Sequence, residues 1–205
     1  MPLIYSKKLT EGGELSIWHS TEETESLLKI PGHVPDFSPV KSEKRKRELI
    51  TSRILAKSML NKDVDIIYNV SGKPSLKDSD FKISVSHTGD FVAVLVHPKK
   101  EAGIDIEILT ERIFKIAHKF VSDEESQIFN TKDLIELYKI WSAKEVVYKI
   151  YGRKEVDFKR DLFCSKLEGD KIKIRHKMNN GSKDFILTVA QLKKYNLILV
   201  YGFDE

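Results

Sequence analysis

Apolar and polar residues alternate in LSIWHS, residues 15–20, a period of two that predicts a half-buried strand. From Lys41 to Leu60 leucine and isoleucine recur at helical spacing among charged residues, and the intervening PGHVPDFSP, 31–39, predicts a loop. A short strand, DIIYNV (65–70), and a turn, SGKPSL (71–76), come next. FKISVSHT and FVAVLVH then predict a hairpin turning at Gly89 and Asp90, and AGIDIEI (102–108) predicts a further strand beyond Pro98.

After Thr110 the period becomes helical. ERIFKIAHKF is followed by SDEESQIF, with Ser122 placed to cap its helix, and by a long segment from Asp133 to Tyr151 that Gly152 stops. The remainder predicts strands joined by turns at 168–170 and 179–182 and closing on NLILVYGF. Helices followed by strands therefore occur twice. With no close internal repeat and no low-complexity linker, the expectation is an α+β chain whose halves, meeting near residue 100, pack as one unit.

The length of 205 residues permits a core that needs no staples, and the lone Cys164 can form no internal disulfide; it suits a small core position in a reducing compartment. The amino terminus lacks the apolar run of a signal peptide, and no run of about 18 apolar residues occurs, so a cytoplasmic protein without membrane spans is expected. The net charge of +4 is mild, but it is segregated. Residues 41–62 hold eight bases and two acids, whereas 101–136 hold nine acids and four bases. That distribution suits a site handling both a polyanion and a cation, and equally two solvated helix faces.

Asp105 and Glu107, two apart in a strand, share one face, with Ile104, Ile106 and Ile108 on the other. In WSAKEVVYK (141–149) Trp141, Glu145 and Lys149 follow one another at four-residue steps, beside Lys144. An exposed ion pair of that spacing is worth only about 0.2–0.5 kcal/mol. The surrounding Val146, Val147, Tyr148 and Ile150 make the helix apolar round most of its circumference, so its charges need partners. Were Glu145 to meet Asp105 and Glu107, three close carboxylates would call for protonation or a cation, and Mg2+ is the natural guest for such oxygens.

AGIDIE (102–107) followed by WSAKEVVYK resembles the two defining motifs of the 4'-phosphopantetheinyl transferase superfamily, a glycine-aliphatic-acid-aliphatic-acid strand and W-x-x-K-E-x-x-x-K. The serine-histidine strand end of the family is matched by VSHT (85–88), and its GKP turn by Gly72, Lys73 and Pro74. Where the family commonly has an asparagine and a final serine, this chain has Ser84 and Thr88. The length resembles the larger group, pseudodimeric monomers of two similar α/β halves. The resemblance implies a half at 1–100 carrying the nucleotide side of a coenzyme A site, and a half at 101–205 carrying a magnesium site and the catalytic helix.

The resemblance further implies transfer of the phosphopantetheine arm of coenzyme A to a serine of an acyl or peptidyl carrier protein, releasing adenosine 3',5'-bisphosphate. It assigns Asp105, Glu107 and Glu145 to magnesium, and Lys144 and Lys149 to the coenzyme A phosphates. Ser86 and His87 fall to the 3'-phosphate side, and Lys73 and Arg47 to the nucleotide, with Arg45, Lys46 and Arg53 as neighbouring alternatives for Arg47. Glu124 matches a glutamate suggested to take the serine proton, with Asp123 and Glu125 open as alternatives. Two other classes compete. A nucleic-acid-binding module is opposed by the lack of any aromatic residue in the basic stretch. A magnesium phosphohydrolase or nuclease could use the same carboxylates and lysines.

Overall fold

The computed structural model describes residues 2–30, 39–152 and 156–204, so the expected loop at 31–39 lies almost wholly outside the described residues. The chain divides into two compact units, Met1–Glu101 and Ala102–Glu205. Both combine helices with antiparallel sheet, giving a mixed α/β protein.

The first unit runs β1 (Leu3–Lys8), β2 (Glu14–His19), α1 (Thr24–Leu28), α2 (Glu43–Leu60), β3 (Ile66–Tyr68), β4 (Pro74–Leu76), β5 (Lys82–Thr88) and β6 (Phe91–His97). Its main sheet has the order β1-β2-β6-β5, and β3 pairs with β4 alone. Ser42 caps α2 by accepting from the Arg45 amide, which starts the helix two residues after the apolar period begins. Thr88 faces Phe91 across a two-residue turn in which Gly89 takes φ +54°, a conformation that favours glycine. The core on the helix side of the sheet comprises Leu55, Ala56, Ile66, Leu76, Ile83, Val92, Val94 and Val96. β1 was not expected from the pattern, because none of its residues is buried and no apolar alternation marks it.

The second unit runs β7 (Ala102–Ile108), α3 (Arg112–Ile116), α4 (Asp123–Ile128), α5 (Leu134–Tyr151), β8 (Leu162–Lys166), β9 (Lys171–Met178), β10 (Gly181–Leu192) and β11 (Leu197–Phe203). The sheet order is β7-β11-β10-β9-β8. The expected helix at ERIFKIAHKF is shorter than its pattern: α3 ends at Ile116 and a 3-10 turn follows at Ala117–Lys119. Ser122 and Glu125 cap α4 reciprocally, Asp133 caps α5, and Gly152 ends α5 in the left-handed conformation. Leu137, Ile140, Ala143, Val146, Val147 and Ile150 bury α5 against the sheet. Each fully buried aliphatic side chain there is worth about 1.5–3 kcal/mol. Cys164 lies in this core, as expected.

The units share a connectivity that the sequence does not display. In one, β2 leads to α2 and then to the hairpin β5–β6, whose second strand lies against β2; in the other, β7 leads to α5 and ends in the hairpin β10–β11, whose second strand lies against β7. No described helix is long and apolar enough to cross a membrane.

Candidate active site

Gly103 sets the geometry of the second unit. A side chain there would overlap the Val146 carbonyl oxygen and press on Ile150, so α5 can approach β7 only across a glycine. Odd-numbered residues of β7 face that helix, which aims Asp105 and Glu107 at its Trp141–Glu145–Lys149 stripe. Lys149 Nζ donates to Asp105 Oδ1 at 2.8 Å and to the Ile104 carbonyl at 2.9 Å. The Trp141 indole N–H donates to Glu107 Oε1 at 3.1 Å. Asp105 is only 3% exposed, and Ile104 and Ile106 are buried on the opposite face.

Glu145 completes the arrangement electrostatically. Burial, then the Asp105 charge, and more weakly Glu107 push its carboxyl up to about 7, with Lys149 pulling the other way. The three carboxylates therefore feel one another. They do not form a ready-made cage: among the described residues no group of three or more His, Cys, Asp or Glu side chains is placed to hold a metal ion. A lysine ammonium stands against Asp105 and an indole N–H against Glu107.

Lys144 is the clear departure from expectation. Its side chain is wholly buried, and Nζ donates to the Phe120 carbonyl at 2.6 Å, to Glu125 Oε2 at 2.7 Å and to the Phe158 carbonyl at 2.8 Å. An ammonium has three protons, so none is left for a phosphate. Lys144 follows Trp141 by three residues and precedes Glu145 by one, which turns it off the Trp141–Glu145–Lys149 stripe and into the core.

Its partner Glu125 is also 0% exposed; it accepts from the Ser122 and Cys164 amides and is buried away from any substrate proton. Burial, opposed by Lys144, pushes the Cys164 thiol up. Glu124 and Asp123 stay exposed in the first turn of α4, which the Lys144–Glu125 pair ties to α5. The reciprocal S-x-x-E cap, visible in the sequence as Ser122 and Glu125, was the signal that could have marked Glu125 as structural.

In the first unit the bases separate into two places. Arg45 Nη1 donates to Glu48 Oε2 at 3.0 Å and lies 3.1 Å from His87 Nε2, while His87 Nδ1 lies 3.4 Å from Glu48 Oε1. Arg47 reaches Asp90 at 3.6 Å, and a small cleft beside it is lined by Ser20, Lys44, Arg47, Glu48 and Asp90. Ser86 is buried next to exposed His87. Lys73 instead shares Glu101 with Lys82, at 2.8 and 3.5 Å. Lys82 and His87 stand five residues apart on β5, about 17 Å of strand.

Arg53 is removed as an alternative to Arg47, since it is 9% exposed and donates to the Leu49 and Ile66 carbonyls. Lys46 pairs with Glu43 on the surface. Glu48 and Glu101, the acids that organise these bases, were not singled out in the sequence.

Residues 101–199 match the family model described as the 4'-phosphopantetheinyl transferase superfamily. The second unit is thus similar to that superfamily. The matched span contains Asp105, Glu107, Glu145 and Lys149, and excludes Arg47, Lys73, Ser86 and His87. Among curated relatives, the 4'-phosphopantetheinyl transferase AcpT of Salmonella typhi is 24% identical over 133 residues, 59% of this chain and 68% of that protein. AcpT of Escherichia coli O157:H7 is 26% identical over 118 residues, 53% of this chain and 59% of that one. A phosphopantetheinyl transferase of Thraustochytrium is 25% identical over 130 residues, 50% of this chain and 45% of its own length.

Proposed function

We propose that this chain is a member of that superfamily and transfers the 4'-phosphopantetheine group of coenzyme A to a serine of an acyl or peptidyl carrier protein, with magnesium, and releases adenosine 3',5'-bisphosphate. The observation that carries this reading is the β7–α5 contact, which brings Asp105, Glu107 and Glu145 into electrostatic range of one another beside Lys149. The relatives' names supply the group transferred, and the two units with their shared connectivity suit a monomer built of two related halves.

Magnesium fits the donor set, because it binds hard oxygens and is held by one or two carboxylates plus water and phosphate. Asp105, Glu107 and Glu145 are the residues that would hold it. When bound it supplies Lewis-acid polarisation of the pyrophosphate and neutralises charge that grows on it.

The chain's own groups do the rest. Glu124, exposed at the start of α4, accepts the proton of the carrier serine directly or through water. The serine oxygen forms its bond to the pantetheine-side phosphorus while the bond from that phosphorus to the bridging oxygen breaks, and adenosine 3',5'-bisphosphate departs. Lys149 is the cation beside these carboxylates that meets the phosphate oxygens, where a positioned cation stabilises charge that develops during transfer. Arg47, Lys73, Ser86 and His87 bind the nucleotide end, and Arg45 joins them. Lys144 takes no part in phosphate binding; it holds α4 in place.

The test is incubation with fluorescent coenzyme A and a panel of apo carrier proteins. A labelled carrier band that EDTA removes and magnesium restores is expected. Release of phosphopantetheine to water without labelling would replace transfer by hydrolysis.

A further inference from the structure

The helix that carries the nucleotide-binding bases also buries an acid among them. Glu48 is 8% exposed and lies one turn from Arg45 on α2, with one carboxylate oxygen on Arg45 and the other facing His87 of β5. A carboxylate is a poor neighbour for a phosphate, and a site selected only for positive charge would exclude it. The hydrogen-bond chemistry indicates what it does.

Arginine has donors and no acceptor, so the 3.1 Å approach of Arg45 Nη1 to His87 Nε2 requires that nitrogen to be bare. The ring proton then sits on Nδ1, the nitrogen facing Glu48 Oε1 at 3.4 Å. Glu48, Arg45 and His87 thus close a ring of three groups in which the acid orients both bases. We infer that Glu48 is a positioning residue for recognition of the 3'-phosphate: it holds Arg45 and the Nδ1–H tautomer of His87 ready for the ligand.

The inference rests on the proposed reading of this cluster as the nucleotide side of the coenzyme A site. On binding, the phosphate replaces Nε2 as the acceptor for Arg45. His87 then takes a proton at Nε2 from the monoester or from solvent and donates to the phosphate, with Glu48 balancing the imidazolium from behind.

Bare electrostatics predicts that removing an acid from an anion site tightens binding, whereas positioning predicts the reverse. Titration calorimetry with adenosine 3',5'-bisphosphate and adenosine 5'-monophosphate separates the two. For Glu48→Ala the bisphosphate should bind about tenfold more weakly, the scale of a lost hydrogen bond to a charged group, and the monophosphate should change much less. Long-range 15N spectra should show His87 as the Nδ1–H tautomer in the free wild-type protein and as the Nε2–H tautomer in Glu48→Ala.

Should the alanine variant not fold, Glu48→Gln keeps the shape without the charge and should show a smaller loss of the same sign. Bisphosphate binding that is unchanged or tighter in the variants, or a free wild-type His87 protonated at Nε2, overturns the inference. Failure of the wild-type protein to bind the bisphosphate at all overturns instead the functional reading on which it rests.

Discussion

Replacing Lys144 by alanine separates the role its motif suggests from the role its surroundings impose. The ammonium satisfies two carbonyls and one carboxylate, all out of solvent. Its loss leaves Glu125 charged, buried and without its cation, and breaking one side of such a pair costs about 3–5 kcal/mol. Against a total stability of about 5–15 kcal/mol that is a large share, and it corresponds to a fall in melting temperature of about 10 °C.

Urea denaturation followed by circular dichroism measures the loss, and labelling per folded molecule measures chemistry separately. A second substitution, Glu125→Leu, should recover most of the deficit, because a matched apolar pair is often no worse than a buried ion pair. Coupling between the two sites should therefore exceed about 2 kcal/mol in a double-mutant cycle. A Lys144→Ala protein that keeps wild-type stability while losing phosphate affinity would refute the argument and return this lysine to the ligand.

The acid at 145 links pH, stability and metal. Its carboxyl sits at about 7 in the folded chain against an ordinary 4.5, so the folded state binds the extra proton. The stability tied to that proton is fully present below about pH 4.5 and is lost as pH rises through 7. Relative to wild type, Glu145→Gln should be neutral at pH 4 and more stable at pH 8 by up to about 3 kcal/mol, read from urea midpoints without divalent ions. Adding magnesium at pH 8 should raise the wild-type midpoint and leave that of the variant unmoved, and the variant should show no magnesium-dependent labelling. Gly103→Ala would force α5 off β7; a loss of at least 1–3 kcal/mol, typical of overpacking, is expected in denaturant melts together with weaker magnesium-dependent stabilisation. An alanine at 103 that leaves both unchanged would show that the close approach is not needed.

The local elements were largely legible because local rules make them. Ser122, Asp133 and Gly152 cap their helices where the residue types place them, and Gly89 turns the β5–β6 hairpin. The strand period put Asp105 and Glu107 on one face, and the helix period put Trp141, Glu145 and Lys149 on one stripe; the structure sets these two against each other. β1 and the break after α3 were not legible, because packing rather than pattern decides them.

Periodicity tells which residues share a face and is silent on which face meets core, solvent or ligand. Two adjacent residues of one motif, Lys144 and Glu145, were separated by 100° of helix into a buried tie and an acid facing Asp105, and nothing in their spelling distinguishes those fates. Likewise the bases of α2 were countable from composition, but the choice of Arg53 for the core and of Arg45 for His87 needed Glu48, Ile66 and β5 in place. The sequence by itself determined the family resemblance, the caps and the chemical types available. Tertiary structure alone decided which charges keep their hydration and which exchange it for fixed partners, because desolvation depends on neighbours far away along the chain.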